Sequence, residues 1–153
     1  MRMLFFDQVL ELEPGVRMVG VKNVTLSEEF LGAHFDRRPV MPGALVVETM
    51  AQVAGWLVNH TLGFRRSALM SLVEGVALRR PIQPGDRLVV EARLLSGGLD
   101  SSLAATRAWV DGDEVASVER IIFYNHPAAD ECEIEENRQR WLYYGGKEAN
   151  GSR

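Results

Sequence analysis

The stretch Ala33-His34-Phe35-Asp36-Arg37-Arg38-Pro39-Val40-Met41-Pro42-Gly43 opens onto a nearly all-apolar run that carries one lone carboxylate, Glu48. From Gly43 to about Thr61 the residues are good helix formers. Leu45, Val46, Met50, Val53, Ala54, Leu57 and Val58 cover almost every face of that helix. A helix apolar all round is expected to be buried all round, and at 1.5 Å per residue this one is about 27 Å long.

Outward from the helix, the chain reads as strands. Glu13-Pro14-Gly15 signals a turn, and Val16 to Leu26 alternates loosely in the manner of a strand. A loop holding His34 then runs to Pro42-Gly43. Beyond the helix, Ala68–Leu78, Arg87–Leu95, Ser101–Val110 and Glu114–Tyr124 read as strands, with turns at Gln83-Pro84-Gly85-Asp86, Gly97-Gly98 and Asp111-Gly112-Asp113. One long buried helix followed by antiparallel strands predicts an α+β fold in which a sheet wraps that helix. From about His126 the chain turns acidic and then aromatic (Trp141, Tyr143, Tyr144), an appendage with room for a short helix and a polar tail, Gly151-Ser152-Arg153.

Composition narrows the function classes. The 153 residues suffice for one domain with a proper core, and 46% hydrophobic with 25% charged residues is ordinary for a soluble globular protein. A net charge of −4 argues against nucleic acid as the main partner. The one cysteine, Cys132, forms no intrachain disulfide, so a reducing, cytoplasmic setting is expected. The apolar start is too short for a signal-peptide core, and no run approaches the roughly 20 apolar residues of a membrane span.

Glu48 carries the chemistry. A carboxylate in an apolar helix is costly to desolvate, and the usual outcome is that the proton stays on. Its helical neighbours at three and four residues are Ala44, Leu45, Ala51 and Gln52, so no Lys or Arg pairs with it along the helix, and Gln52 offers a hydrogen bond. Such an acid either meets a distant arginine, points to solvent at a helix edge, or acts as a proton donor. His34 supplies a complementary base. Pro42-Gly43 is helix punctuation that also leaves unpaired N–H groups able to hold a carbonyl oxygen as charge builds on it. His60 and His126 read as structural or exposed, and three histidines without supporting acid spacing make no metal site.

In order and spacing, His34-Phe35, Pro39-Val40-Met41-Pro42-Gly43 and Glu48-Thr49-Met50-Ala51-Gln52 resemble the signature of the FabZ/FabA-type 3-hydroxyacyl-(acyl-carrier-protein) dehydratases. Phe6 to Gly15, Val21 to Thr25 and Arg79 to Asp86 resemble that family too, so the likeness runs from about Leu4 to Phe123. It implies a hotdog dehydratase-like domain over 1–125 and a C-terminal acidic, aromatic extension over 126–153. It also implies an obligate homodimer with the histidine of one subunit facing the acid of the other, and trimers of dimers occur in the family. By position, His34 matches the catalytic histidine, Glu48 the catalytic acid, Gly43 the glycine whose N–H polarises the thioester carbonyl, and Gln52 the glutamine that orients the carboxylate. Val47, Met50 and Ala51 are expected to line an acyl tunnel or to be plain core. The implied reaction dehydrates (3R)-3-hydroxyacyl thioesters on acyl carrier protein to trans-2-enoyl thioesters, in fatty acid or related polyketide or polyene biosynthesis, with no metal or redox cofactor.

Arg65, Arg66, Arg79 and Arg80, with Arg37-Arg38, are candidates for docking an acidic carrier protein. The chain departs from the family at Ala33, where glycine is usual, and at Asp36 and Arg37, where Pro-Gly is usual. Gly75 and Ala77 stand where lysines are common. These departures suggest a divergent branch. Two other readings stand beside the dehydratase: a hotdog acyl thioesterase, which needs no base aimed at the α-carbon, and a non-catalytic acyl-binding subunit.

Overall fold

The helix expected over Gly43–Thr61 occupies those residues in the computed structural model, which describes residues 4–35 and 37–146. We label it α1. Six strands surround it: β1 (Gln8–Glu13), β2 (Arg17–Asn23), β3 (Arg66–Leu78), β4 (Arg87–Gly97), β5 (Ser101–Val110) and β6 (Asp113–Pro127). They form one antiparallel sheet in the order β1-β2-β4-β5-β6-β3, which lies against α1. This arrangement, an antiparallel sheet wrapped around one long helix, is the hotdog fold.

Alternation along the strands sets the core. Leu88, Val90 and Ala92 of β4 and Ala104, Ala108 and Val110 of β5 turn inward, where they meet Met50, Val53 and Leu57 of α1. Many of these sheet residues are small, which brings the helix close. At Gly20 of β2 an added Cβ would lie 2.9 Å from Val53 Cγ2, so the glycine lets the helix sit close.

Three features were not read from the pattern. Gln8–Glu13 is a strand, paired antiparallel with β2. Glu29–Ala33 is a 3-10 turn leading to His34. And β2 is buried over five consecutive residues rather than alternating, including Lys22, whose amine pairs with Glu28 and with Asp7 at 3.5 Å. A lysine so enclosed is tolerable because both carboxylates meet its charge.

The expectation that α1 is buried all round needs correction. Ala44 is exposed, and Glu48, Gln52, Trp56 and Asn59 are only half-buried, so one stripe of the helix is left uncovered by its own chain. The stripe carries the carboxylate.

β3 is the sheet's long outer strand. It spans 13 residues, pairs on one side with β6, and exposes Leu69, Met70, Leu72, Val76 and Leu78. Gly75 interrupts it at φ +66°, a left-handed conformation that favours glycine.

After β6 the chain forms a second helix, α2 (Glu131–Tyr143). Asp130 caps it by accepting from the Glu133 N–H at 2.9 Å, and Glu133 accepts from the Ala129 N–H at 2.7 Å. Trp141 is 2% exposed and packs on His60, Phe64 and Trp56, with ring centroids 5.0, 6.1 and 6.3 Å away. Tyr144 stacks on Phe6 at 4.5 Å, and the Val9 N–H donates to its carbonyl at 2.8 Å. His60 therefore belongs to the seat of α2. The tail Gly151-Ser152-Arg153 lies outside the described residues.

Candidate active site

The 3-10 turn sets His34, whose own N–H donates to Leu31 O and whose carbonyl accepts from the Val40 N–H at 2.9 Å. Its Nδ1 lies 3.3 Å from the Val40 carbonyl. A carbonyl only accepts, so Nδ1 carries the hydrogen, and in the neutral imidazole the lone pair is then on Nε2, the form a base requires. The ring also lies against Phe35, with centroids 4.2 Å apart. Arg37, in the departing loop, is exposed, and Asp36 lies outside the described residues.

His34 lines a cavity of about 330 Å³ together with Gly43, Val46, Leu78, Arg79 and Ile82. Gly43 begins α1 behind Pro42, which has no side chain able to cap the helix. Among the described residues no acceptor meets the Gly43 N–H, as expected for a first-turn donor. A Cβ at Gly43 would lie 2.6 Å from Leu78 Cδ1, so a larger residue forces Leu78 aside within this same cavity.

Glu48 lies on another side of the helix. At 3.6 residues per turn, five residues carry it roughly 140° round the axis from Gly43. It lines a separate cavity of about 340 Å³ with Ala51, Gln52, Gly55, Trp56 and Ala68. The Gln52 amide donates to Glu48 Oε1 at 2.8 Å, and Gln52 Oε1 accepts from the Phe5 N–H at 3.0 Å. The second bond fixes which way the amide points and hence that its NH₂ faces the carboxyl. The helical spacing foretold Gln52 but held no signal for Phe5, which is 47 positions away.

A single chain thus brings His34 to Gly43 and Glu48 to Gln52, and leaves the two pairs lining different cavities. Of the three tunnel candidates, Ala51 is in the wall of the Glu48 cavity; Met50 is 0% exposed within the core, and Val47 is half-buried.

The arginines are also divided. Arg79 lines the His34 cavity and pairs with Glu114 at 3.0 Å. Arg80 binds Asp86 at 3.0 Å. Burial raises the Asp86 carboxyl, but the Arg80 hydrogen bond, the Gln83 N–H and the Arg80 charge outweigh it and hold the group below the ordinary carboxylate value. Arg65 is exposed and Arg66 bonds Asp100 at 3.1 Å and the Asn125 carbonyl at 3.0 Å. The Arg65–Arg66 and Arg79–Arg80 pairs sit at opposite ends of β3, roughly 40 Å apart along an extended strand.

Residues 1–119 match the family model of the FabA-like domain. The chain belongs to the FabA-like family. A relative in that family from Acetivibrio thermocellus, a 3-hydroxyacyl-(acyl-carrier-protein) dehydratase FabZ, is 42% identical over 123 residues, covering 78% of this chain and 82% of its own length. The FabZ dehydratase of Thermomicrobium roseum is 40% identical over 121 residues, covering 78% of this chain and 80% of its own. Among solved structures, a Streptococcus mutans protein bound to acetyl CoA superposes with a TM-score of 0.64 at 14% identity, over 85% of this chain and 96% of that one. The ApeI:P dehydratase heterocomplex of Xenorhabdus doucetiae gives 0.60 at 18% identity, over 74% of this chain and 92% of that one. Both likenesses concern the fold. The α2 helix lies beyond the FabA-like match.

Proposed function

We propose that this FabA-like chain is a 3-hydroxyacyl-(acyl-carrier-protein) dehydratase in which His34 and Glu48 of different subunits share one active site. The supporting observation is the carboxyl of Glu48, set by the Gln52 amide on a helix whose N-terminal Gly43 N–H stands beside a His34 with its Nε2 lone pair available. The relatives' activity agrees with that equipment.

The chemistry follows. The thioester carbonyl accepts from the Gly43 N–H, which stabilises negative charge developing on oxygen. His34 Nε2 removes the α-proton, the electrons of that C–H bond form the Cα–Cβ double bond, and the β-hydroxyl departs as water with the proton of Glu48. Transfer of a proton from His34 back to Glu48 resets the site. The Cβ–O bond breaks with both electrons going to the departing oxygen and no net oxidation, so the step calls for no redox cofactor, and the Glu48 proton does the work a metal would do on the hydroxyl.

The exposed apolar edge of β3 supports a homodimer. Antiparallel pairing of two β3 edges about a two-fold axis near Val73 sets Leu78, in the wall of the His34 cavity, opposite the partner's Ala68, in the wall of the Glu48 cavity. The same pairing draws Arg65 and Arg66 toward the partner's Arg79 and Arg80, giving an acidic carrier protein one basic landing surface. Among the described residues no helix is long and apolar enough to cross a membrane, and we place the enzyme in the cytoplasm with its carrier.

Subunit mixing tests the shared site. His34→Ala and Glu48→Gln variants are each expected to be inactive toward a 3-hydroxyacyl carrier protein. Unfolded and refolded together in equal amounts, they should recover about a quarter of wild-type activity, because half the dimers are mixed and each holds one intact site. No recovery in demonstrably mixed dimers rejects the cross-subunit arrangement. Release of free thiol without enoyl product rejects dehydration.

A further inference from the structure

We propose that Trp56 is the specificity-determining end wall of the acyl groove, held in place by α2, so that the C-terminal extension sets the longest acyl chain accepted. This rests on the reading of Glu48 as the acid of an acyl-thioester site. The decisive observation is that Trp56 lines two cavities at once. On one side is the 340 Å³ cavity that begins at Glu48; on the other is a cavity of about 710 Å³ bordered by Leu4, Cys132, Gln139 and Tyr143. One indole separates them.

The approach to that indole suits an alkyl chain. Glu48, Gln52 and Trp56 follow one another at four-residue spacing on the uncovered stripe of α1, and eight residues advance about 12 Å along the axis. Between acid and indole the wall is made of Ala51, Gly55 and Ala68, with Met70 beside them. A Cβ at Gly55 would lie 3.6 Å from Phe123 Cε1 and 3.8 Å from Ala68 Cβ, so the glycine leaves open room that an alanine would partly fill. The polar end is where the thioester reacts, and the small-residue end is where its tail lies.

Trp56 is no loose flap. Its ring packs on Trp141 at 6.3 Å and on Tyr144 at 5.4 Å, and both of these residues are 2% exposed. Trp141 and Tyr144 act as positioning residues through Trp56. They belong to a segment beyond the FabA-like match, so the wall's support lies outside the matched domain.

Each methylene buried tightens binding about fourfold, so a closed wall appears as a break in a chain-length series. The test uses acyl carrier protein charged with 3-hydroxyacyl groups from butyryl to hexadecanoyl. Two quantities are read: kcat/KM for enoyl formation, and the dissociation constant of the matching saturated acyl carrier proteins by calorimetry. The wild type should show a sharp break. Trp56→Ala should move it to longer chains and raise the long-to-short ratio at least tenfold, while Trp56→Phe should keep it near the wild-type position. Trp141→Leu should blur it, through the length dependence of KM rather than through kcat. Ala68→Leu, which narrows the groove without touching the aromatic seat, should move the break to shorter chains and serves if Trp56→Ala does not fold. A wild-type series without a break, or a long-to-short ratio unchanged within twofold in both Trp56→Ala and Ala68→Leu, overturns the proposal while leaving dehydration intact. A break in the dissociation constants that shifts as described, with no enoyl formed at any length, sinks the dehydratase reading and keeps the groove.

Discussion

Glu48 is tied into its surroundings by a two-bond chain, from the Phe5 N–H to Gln52 and from Gln52 to the carboxyl. Glu48→Gln preserves shape but supplies no acidic proton; kcat is expected to fall at least about a hundredfold, the scale of general acid catalysis, with thermal unfolding little changed. A variant that fails to fold would mean the acid is structural. Acid sensitivity has a separate source. Asp86 and Glu91 are each held below the ordinary carboxylate value: burial opposes this, and hydrogen bonds from Arg80 and Gln83 to Asp86, and from Arg93 and Arg17 to Glu91, overcome it. Their stabilisation is present above the unfolded carboxylate value and is lost as pH falls through the lower folded value. The denaturation midpoint should therefore drop in acid, and less so in Asp86→Asn, as followed by urea titration across pH. At this scale the sequence is informative where partners are near neighbours: the Glu48–Gln52 bond is written in a spacing of four. Phe5 and Trp56 were not legible, because one acts through a backbone N–H from a remote strand approach and the other through the space on its two sides.

At the scale of elements, α1 and the strand from Ser101 to Val110 match their expected bounds, since apolar periodicity and turn residues both mark them. The Gln8–Glu13 strand was missed because its residues are mostly exposed on an outer edge and give no clean alternation. Full burial of α1 was over-read: an apolar count cannot tell a face covered by its own sheet from one left open. The α2 helix packs on His60, which burial holds below the ordinary imidazole value, so its seat against Trp141 and Phe64 favours the neutral form. Protonation then favours the undocked state, and the stabilisation, complete above the unfolded value, fades as pH drops. Protection factors across Glu131–Tyr143, which correct for the intrinsic pH dependence of amide exchange, should fall as pH drops from about 8 to about 5, and a His60→Phe variant should lose most of that dependence. Equal pH response in the variant would assign the effect elsewhere.

For the whole molecule, the open edge of β3 is the largest unfinished piece. Leu72 is 46% exposed near its middle, and Leu72→Lys places charge where two edges are proposed to meet. Light scattering is expected to report a monomer, with circular dichroism unchanged and turnover gone; a dimer that persists with full activity would move the interface to another surface. The proposed assembly came from resemblance to relatives alone, because no pattern within one chain says that its two reactive pairs are kept apart.

That separation has a kinetic signature. On the proposed shared site, with base and acid in different hollows of each copy, the enzyme gains competence only by meeting another copy, so output per molecule is not constant on dilution. Below the association midpoint, total rate should climb with the square of enzyme concentration before becoming linear. With the shared site proposed above, a cell making a singly defective copy alongside a sound one in equal amounts would keep about half of its sites, where a headcount of sound pairs implies about a quarter.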